Sequence, residues 1–191
     1  VTDNDNLQAT LRHIPNAKLS LPYFQQVEDV PTQEIKSNTI GIQGAEAFDF
    51  IRISGNSRVR TADKPVRAFD SQKAFILDGS CDITGTNSSY FEGTFNLSNY
   101  QAASHKIMLS FRHTLSIARS VNSSCNVYIR GGNAGAWAKI YTVTSTQTAD
   151  TQNGYQLANI DLSQALINNQ QDFSVDTQIR WEVVTTRTIP Y

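Results

Sequence analysis

Apolar and polar residues alternate along most of this chain in short runs, which is the pattern of half-buried β-strands. In the clearest run, five apolar residues and one histidine take every second position: Ile107, Leu109, Phe111, His113, Leu115 and Ile117. Lys106, Ser110 and Arg112 point to the other side. This run predicts a central strand of a sheet.

The same alternation recurs in two further places. Val127 and Ile129 share one face, and so do Ile179, Trp181 and Val183, with Gln178, Arg180 and Glu182 opposite them. Further strands are predicted at residues 48–53, 58–61, 74–77, 90–96 and 137–143. One helical turn is predicted at residues 161–167, with Asp161 as its cap and Leu162, Ala165 and Leu166 facing inward.

Many short strands with polar turns between them indicate an all-β fold of two packed antiparallel sheets, a β-sandwich or jelly roll. An open barrel is the alternative. The start of the chain, residues 1–18, alternates poorly and reads as a linker, or as the tail of a preceding repeat. Residues 19–191 are then predicted to form one sandwich domain.

Composition narrows the class of partner. The 191 residues carry a formal net charge of −1, and only 17% of them are charged, so no overall field favours nucleic acid. Ser, Thr, Asn and Gln replace the missing charges, as is common on extracellular β-proteins. No stretch approaches the apolar length of a membrane span. We therefore predict an extracellular or cell-surface protein without membrane insertion.

Two cysteines, Cys81 and Cys125, leave two alternatives, a disulfide or two free thiols. Both lie in polar, turn-like surroundings, where a buried thiol is less expected, and this favours the disulfide. In the chain-entropy model such a bridge would stabilise the fold by roughly 4 kcal/mol.

Five landmarks follow one another along the chain: LPYFQQVE, NSRVRTADKPVRAFDSQKAFILDGS, YFEGTFNLSNY, HKIMLSFRHTL and VYIRGGNAGAWAKIYTV. Their order resembles a MAM-like or galactose-binding-like jelly roll. More narrowly, it is similar to the jelly-roll modules, related to cleaved adhesin domains, of secreted and surface proteins of Bacteroidetes. The resemblance implies a role in cell adhesion.

Calcium is the one cofactor that this pattern suggests, as a structural ion that holds a strand end with carboxylate and carbonyl oxygens. The candidate ligands are Glu28, Asp29 and Asp78. The alternative is that Glu28 and Asp29 cap a turn and that Asp78 belongs to an Asp-Gly turn.

No catalytic motif is present. The three histidines, His13, His105 and His113, are scattered, and only His113 falls on a predicted core face. Glu92 and Glu182 each stand alone on a predicted strand, whereas a glycosidase needs two carboxylates that face one groove. We therefore expect a protein that is not an enzyme.

Two places are candidates for ligand binding. The glycine-rich segment RGGNAGAW, residues 130–137, can present Arg130 and Trp137 to a sugar ring or a protein, although a tryptophan there more often fills the core. Tyr128 and Tyr141 are predicted to lie on the exposed side of their strands. Tyr90 either contributes to a binding face or closes an edge strand.

The sequence thus predicts a non-catalytic adhesion or interaction module of a larger protein. Its expected partners are a glycan, a protein, or neighbouring domains of the same polypeptide. The alternative is a structural accessory domain that supports a separate catalytic domain.

Overall fold

The computed structural model describes residues 18, 20–24, 27, 30–35, 39–40, 48–54, 58–62, 73–78, 85–115, 121–143 and 155–187. Within these ranges the chain forms strands and one short helix. The strands in chain order are β1 (Gln33–Ile35), β2 (Thr39–Ile40), β3 (Phe48–Ser54), β4 (Arg58–Ala62), β5 (Ala74–Asp78), β6 (Gly85–Phe95), β7 (Met108–His113), β8 (Val121–Arg130), β9 (Ala138–Val143), β10 (Gln156–Asp161) and β11 (Thr177–Arg187). The helix, α1, spans Leu162–Asn168 between β10 and β11.

One layer of the fold is a six-stranded antiparallel sheet with the strand order β2-β3-β6-β11-β8-β9. Its centre is the pair β6 and β11, which are hydrogen-bonded from Phe95–Thr177 to Gly85–Arg187. These two strands are far apart in the sequence, so the centre of the sheet depends on a long-range pairing. This pairing joins residues 85–95 to residues 177–187.

The second layer consists of two smaller antiparallel sheets, β1-β4-β5 and β10-β7. Each covers a different part of the large sheet. Val59 of β4 and Phe75 of β5 pack with Phe91 of β6. Leu109 and Phe111 of β7 and Ile160 of β10 pack with residues of β8 and β11. The all-β antiparallel sandwich predicted from the alternation is confirmed.

The two parts of the core meet at a pair of aromatic rings. Phe91 and Trp181 stack with centroids 5.0 Å apart and an interplanar angle of 15°. Trp181 contacts both hydrophobic clusters, and its neighbours on β11, Ile179 and Val183, are buried. Each large apolar side chain buried in this way contributes about 1.5–3 kcal/mol.

The helix forms where the sequence predicts it. The Asp161 carboxylate accepts a hydrogen bond from the backbone N–H of Gln164 at 2.9 Å, which satisfies one of the free donors of the first turn. Leu162 and Leu166 are buried, and Ala165 packs against the same cluster.

The strand with the clearest alternation occupies a different position from the one predicted. Ile107 is buried and Leu109, Phe111, His113 and Leu115 are half-buried, so the alternation is confirmed for these positions; Ile117 lies outside the described residues. The expectation of a central strand is wrong for the part of the chain that the structure describes, because β7 pairs only with β10 there. Alternation reports that one face of a strand is covered; it does not report how many strands lie beside it.

Two predictions about the chain as a whole have different outcomes. No helix within the described ranges is long and apolar enough to span a membrane. The predicted linker, residues 1–18, lies outside the described residues except for Lys18, which is exposed.

Candidate functional site

The candidate site is the outer face of the six-stranded sheet, the side that points away from the core. Three of the rows that its described residues form across β6, β11, β8 and β9 make up the site. The first row is Thr94, Gln178 and Arg130; the second is Glu92, Arg180, Tyr128 and Lys139; the third is Tyr90, Glu182, Asn126 and Thr142. Trp137 comes directly before β9 and reaches over this face toward Arg130 and Arg180.

Two aromatic rings and two guanidinium groups stack on one another on the outer face; we call Tyr90, Arg180, Trp137 and Arg130 the stacked cluster. The guanidinium carbon of Arg180 lies 4.2 Å from the centroid of the Tyr90 ring and 4.1 Å from that of Trp137. The guanidinium carbon of Arg130 lies 4.6 Å from the Trp137 centroid. All four side chains are half-buried. Flat guanidiniums stack well on aromatic faces.

Buried polar residues hold the stacked cluster from below. The carboxylate of Glu92, which is 1% exposed, accepts hydrogen bonds from Nε of Arg180 at 2.6 Å and from its Nη2 at 2.5 Å. Gln178 Oε1 accepts from Nε of Arg130 at 2.5 Å, and Gln178 Nε2 donates to the Thr94 hydroxyl at 3.1 Å. Because a buried charge requires a partner, Glu92 and Arg180 determine each other's position.

The second arginine is held by neutral acceptors. Arg130 Nη1 donates to the backbone carbonyl of Asn133 at 3.0 Å, and Nη2 donates to the Asn133 side-chain oxygen at 3.2 Å. Burial lowers the pKa of Arg130, and the charge of Arg180 lowers it further, whereas Asp176 and Tyr90 oppose the shift. Asp176 is linked to this arginine through Asn133, whose N–H donates to the Asp176 carboxylate at 2.9 Å.

The glycine-rich loop between β8 and β9 was predicted to present a ligand site, and its glycines turn out to permit close packing. A Cβ atom on Gly131 would lie 2.1 Å from the backbone oxygen of Asp172, and one on Gly135 would lie 2.3 Å from Oε1 of Gln171. Gly131 N–H donates to that same Gln171 oxygen at 2.8 Å. The loop is thus packed against the segment before β11, and this packing sets where Trp137 emerges.

Tyr128 shares the outer face with the stacked cluster and lies opposite Arg180 on the neighbouring strand. Burial raises the pKa of its hydroxyl, and the negative charge of Glu182 raises it further, against the effects of Arg180 and a hydrogen bond with Asn126. The Asn126 side-chain oxygen also accepts from the Thr142 hydroxyl at 2.9 Å. The polar groups beside the rings are therefore joined to one another.

Four of the five predicted ligand residues, Arg130, Trp137, Tyr128 and Tyr90, come together on this face. The expectation that Trp137 fills the core is wrong, because it lies half-exposed over the outer face. The alternative in which Tyr90 closes an edge strand is also wrong, since β6 lies between β3 and β11.

The fifth residue, Tyr141, points the other way. A bulge between Val127 and Tyr128 places Lys139 opposite Tyr128 and Tyr141 opposite Val127. The extra residue reverses the alternation on β9. Tyr141 therefore packs against the core and lies within hydrogen-bonding distance, 2.9 Å, of Nε2 of His113. Its predicted place on the exposed side is corrected.

The predicted calcium ligands are not assembled in the part of the chain that the structure describes. Asp78 is the last residue of β5, and Glu28 and Asp29 lie outside the described residues. Within those residues no group of three or more His, Cys, Asp or Glu side chains could hold a metal ion. Calcium stays a prediction.

Cys125 is a free, half-buried thiol on β8. Burial raises its pKa to about 11, so at neutral pH it is protonated and weakly reactive. Cys81 lies outside the described residues. Of the two alternatives that the sequence left open, the structure contains Cys125 in the free form.

Arg180, Glu92 and Gln178 are the members of the site that the sequence did not identify as a group. Each occupies a polar position of a predicted strand, and this position is the one sign in the sequence that its side chain lies on the outer face. These side chains meet because β6 pairs with β11, and the residues of either strand alone do not indicate which strand it pairs with. Glu92 and Glu182 also prove to be diagonal neighbours on the outer face, although each stands alone on its strand.

No protein-family model, no curated protein and no solved structure matches this chain. The fold and the geometry of the outer face are therefore the grounds on which a function is proposed.

Proposed function

We propose that this chain is a non-catalytic adhesion or interaction module of a larger secreted or cell-surface protein, and that it binds its ligand on the outer face. The observation that carries the proposal is the stacked cluster, in which half-exposed rings of Tyr90 and Trp137 are fixed by two arginines. Aromatic side chains that are already held in place lose little conformational entropy on binding, and this favours affinity.

The absence of catalysis is supported by the state of the central carboxylate. Glu92 is buried, and its carboxylate contacts Arg180 at 2.5 and 2.6 Å. A retaining or inverting glycosidase needs one carboxyl group that is free to donate a proton and a second that faces the same bond. The carboxylate of Glu92 instead holds Arg180 in place.

The finer fold relationship belongs to the proposal as well. We assign the domain to the MAM-like jelly rolls. The order of the sequence landmarks and the two-layer antiparallel architecture support this assignment. A structural calcium ion at Asp78, with Glu28 and Asp29, and a surface location in Bacteroidetes are expectations that come with this assignment.

One observation favours the alternative, a structural accessory domain. The hydrogen bonds of Arg130 and Arg180 run to Glu92, Gln178 and Asn133, all within the domain. A cluster of this kind can serve mainly to join β6, β8 and β11. In that case the domain holds its neighbours in place and the outer face has no ligand.

An experiment with the variant Trp137→Ala distinguishes the binding role from the accessory role. The wild type and the variant are applied to an array of glycans and an array of extracellular-matrix proteins, and their melting temperatures are compared. A binding role predicts wild-type signal that the variant loses by about tenfold or more. The variant loses both the apolar area that the ring buries and about 1 kcal/mol of stacking, which together exceed the roughly 1.4 kcal/mol of a tenfold change. Trp137→Phe should retain part of the signal.

The matched control is Leu157→Ala. Leu157 is 49% exposed on β10, in the other layer, so its removal should leave binding unchanged. A wild-type protein that binds nothing on either array, while Trp137→Ala lowers the melting temperature, would contradict the binding role and support the accessory role. Hydrolysis of an oligosaccharide during incubation would contradict the non-catalytic assignment.

A further inference from the structure

We propose that the ligand of the outer face is a neutral glycan, recognised by ring stacking and hydrogen bonds rather than by charge. This inference rests on the proposed binding function and names the chemical class of its ligand. The residues concerned are the stacked cluster together with Tyr128 and its polar neighbours Asn126, Lys139 and Thr142.

The first reason is that each guanidinium of the stacked cluster has a carboxylate of the same domain close by. Arg180 is in direct contact with Glu92. Arg130 is linked to Asp176 through Asn133, which accepts a hydrogen bond from Arg130 and donates one to Asp176. An anionic ligand would therefore meet two arginines whose charges are already balanced. Lys139 and Glu182 add one charge of each sign, so these residues together supply no excess positive charge for an acidic glycan or a phosphate.

The second reason concerns the surroundings of the rings. On β6, β11, β8 and β9, the described outer-face residues beside Tyr90, Tyr128 and Trp137 are polar or charged, except for Val184, which lies diagonal to Tyr90. Within the described residues, the exposed large apolar side chains are not on these strands: Leu21, Tyr23, Phe24, Met108, Leu157, Ile167 and Val175. Protein interfaces usually centre on an apolar patch depleted of charge. Rings set among hydrogen-bonding groups suit a sugar, which has an apolar C–H face and a rim of hydroxyls.

The third reason is the fixed arrangement of the polar groups. Asn126 receives the Thr142 hydroxyl, and Tyr128 lies between Arg180 and Lys139 in the second row. Donors and acceptors at set positions beside a ring orient a sugar and discriminate between its isomers. A sheet face supplies them at the regular spacing of neighbouring strands.

The test is a binding panel with three classes of oligosaccharide: neutral chains of glucose, galactose or mannose, chains with uronic acids, and sulfated chains. Each is measured by calorimetry at about 0.05 M and about 0.5 M NaCl, a range over which exposed charge interactions are largely screened. We expect binding to neutral chains, with a Kd that changes by less than about twofold across this range. Trp137→Ala should weaken it by about tenfold or more, and Tyr128→Ala should weaken it as well.

Melting curves of both variants establish that they are folded, and Leu157→Ala serves again as the control outside the site. Binding restricted to charged chains, with a Kd that rises steeply with salt, would overturn the neutral-glycan inference and leave the binding function standing. Binding only to matrix proteins would do the same. If the wild type binds neither glycan nor protein, both the inference and the proposed function fail.

Discussion

At the residue scale, His113 shows how burial sets the chemistry of a single side chain. It lies on the inner face of β7 between the rings of Phe111 and Tyr141, with Gln156 as its partner on β10. Its Nε2 is 2.9 Å from the Tyr141 hydroxyl, and its buried Nδ1 has no hydrogen-bond partner among the described residues. Burial lowers the pKa of His113, so the neutral ring is the form that the fold favours.

This environment predicts that acid destabilises the domain. The unfolded chain takes up a proton on His113 near its ordinary pKa of about 6.5, while the folded chain resists it. The contribution of the neutral ring to stability is therefore complete above that pH and is lost as the pH falls below it. The melting temperature of the domain should therefore fall as the pH is lowered from about 7.5 to about 5.

His113→Gln is the control for this prediction, because glutamine keeps a polar contact with Tyr141 and does not titrate. Its melting temperature should depend less on pH over the same interval. An equal slope for the wild type and the variant would show that other groups carry the effect.

At the scale of elements, the loop between β8 and β9 is positioned by contacts that only small residues allow. The Gly131 carbonyl accepts hydrogen bonds from the hydroxyls of Ser174, at 2.5 Å, and Thr177, at 3.1 Å. Gly131 itself lies so close to Asp172 that a methyl group would meet backbone. The backbone there cannot yield without moving the start of β11.

Gly131→Ala should therefore destabilise the domain by about 2 kcal/mol, within the usual range for a forced overlap. Gly132→Ala is the comparison variant, since its Cβ would meet the ends of the Asp176 and Ser174 side chains, at 2.9 and 3.1 Å, and not backbone. Moving these ends disturbs the Ser174 hydrogen bond to Gly131, so we expect a loss that is smaller than for Gly131→Ala. Urea denaturation followed by circular dichroism measures both. Equal losses would mean that the approach to Asp172 is not the limiting contact. We also expect Gly131→Ala to weaken ligand binding, because the loop carries Trp137.

At the scale of the whole molecule, the two smaller sheets are linked through a shared core. The cluster under β1-β4-β5 and the cluster under β10-β7 both include Trp181, and the stack of Trp181 on Phe91 joins them. The Phe111 ring adds an edge-on contact with Trp181 at 6.1 Å. The two halves of the second layer should therefore unfold together.

Trp181→Ala should cost about 3 kcal/mol, as is usual when a large aromatic is removed from a core, and should broaden or split the unfolding transition. Trp181→Phe should cost less. Leu157→Ala, at an exposed position on β10, should change stability by less than about 0.5 kcal/mol and leave one sharp transition. A single unchanged transition in Trp181→Ala would show that the clusters are joined by other contacts.

The alternation by itself determined the fold class and most strand positions, and the capping residue with its apolar spacing determined the short helix. Ile179, Trp181 and Val183 do face the core, and Asp161 does cap the helix. These features are local, since the side-chain period of a strand and the free N–H groups of a helix end depend on neighbouring residues. Arg130, Trp137, Tyr128 and Tyr90 could be proposed as ligand residues for the same reason: each is an aromatic or an arginine at a polar position or in a glycine-rich loop.

Only the tertiary structure decided which of those residues meet. The pairing of β6 with β11 brings Glu92 beneath Arg180, and the loop packed on Asp172 brings Trp137 over both arginines. The bulge on β9 turns Tyr141 away from the others. Strand order, bulges and loop contacts depend on residues far apart in the chain, and the choice among them is made by how the whole core and its polar groups can be packed and satisfied together.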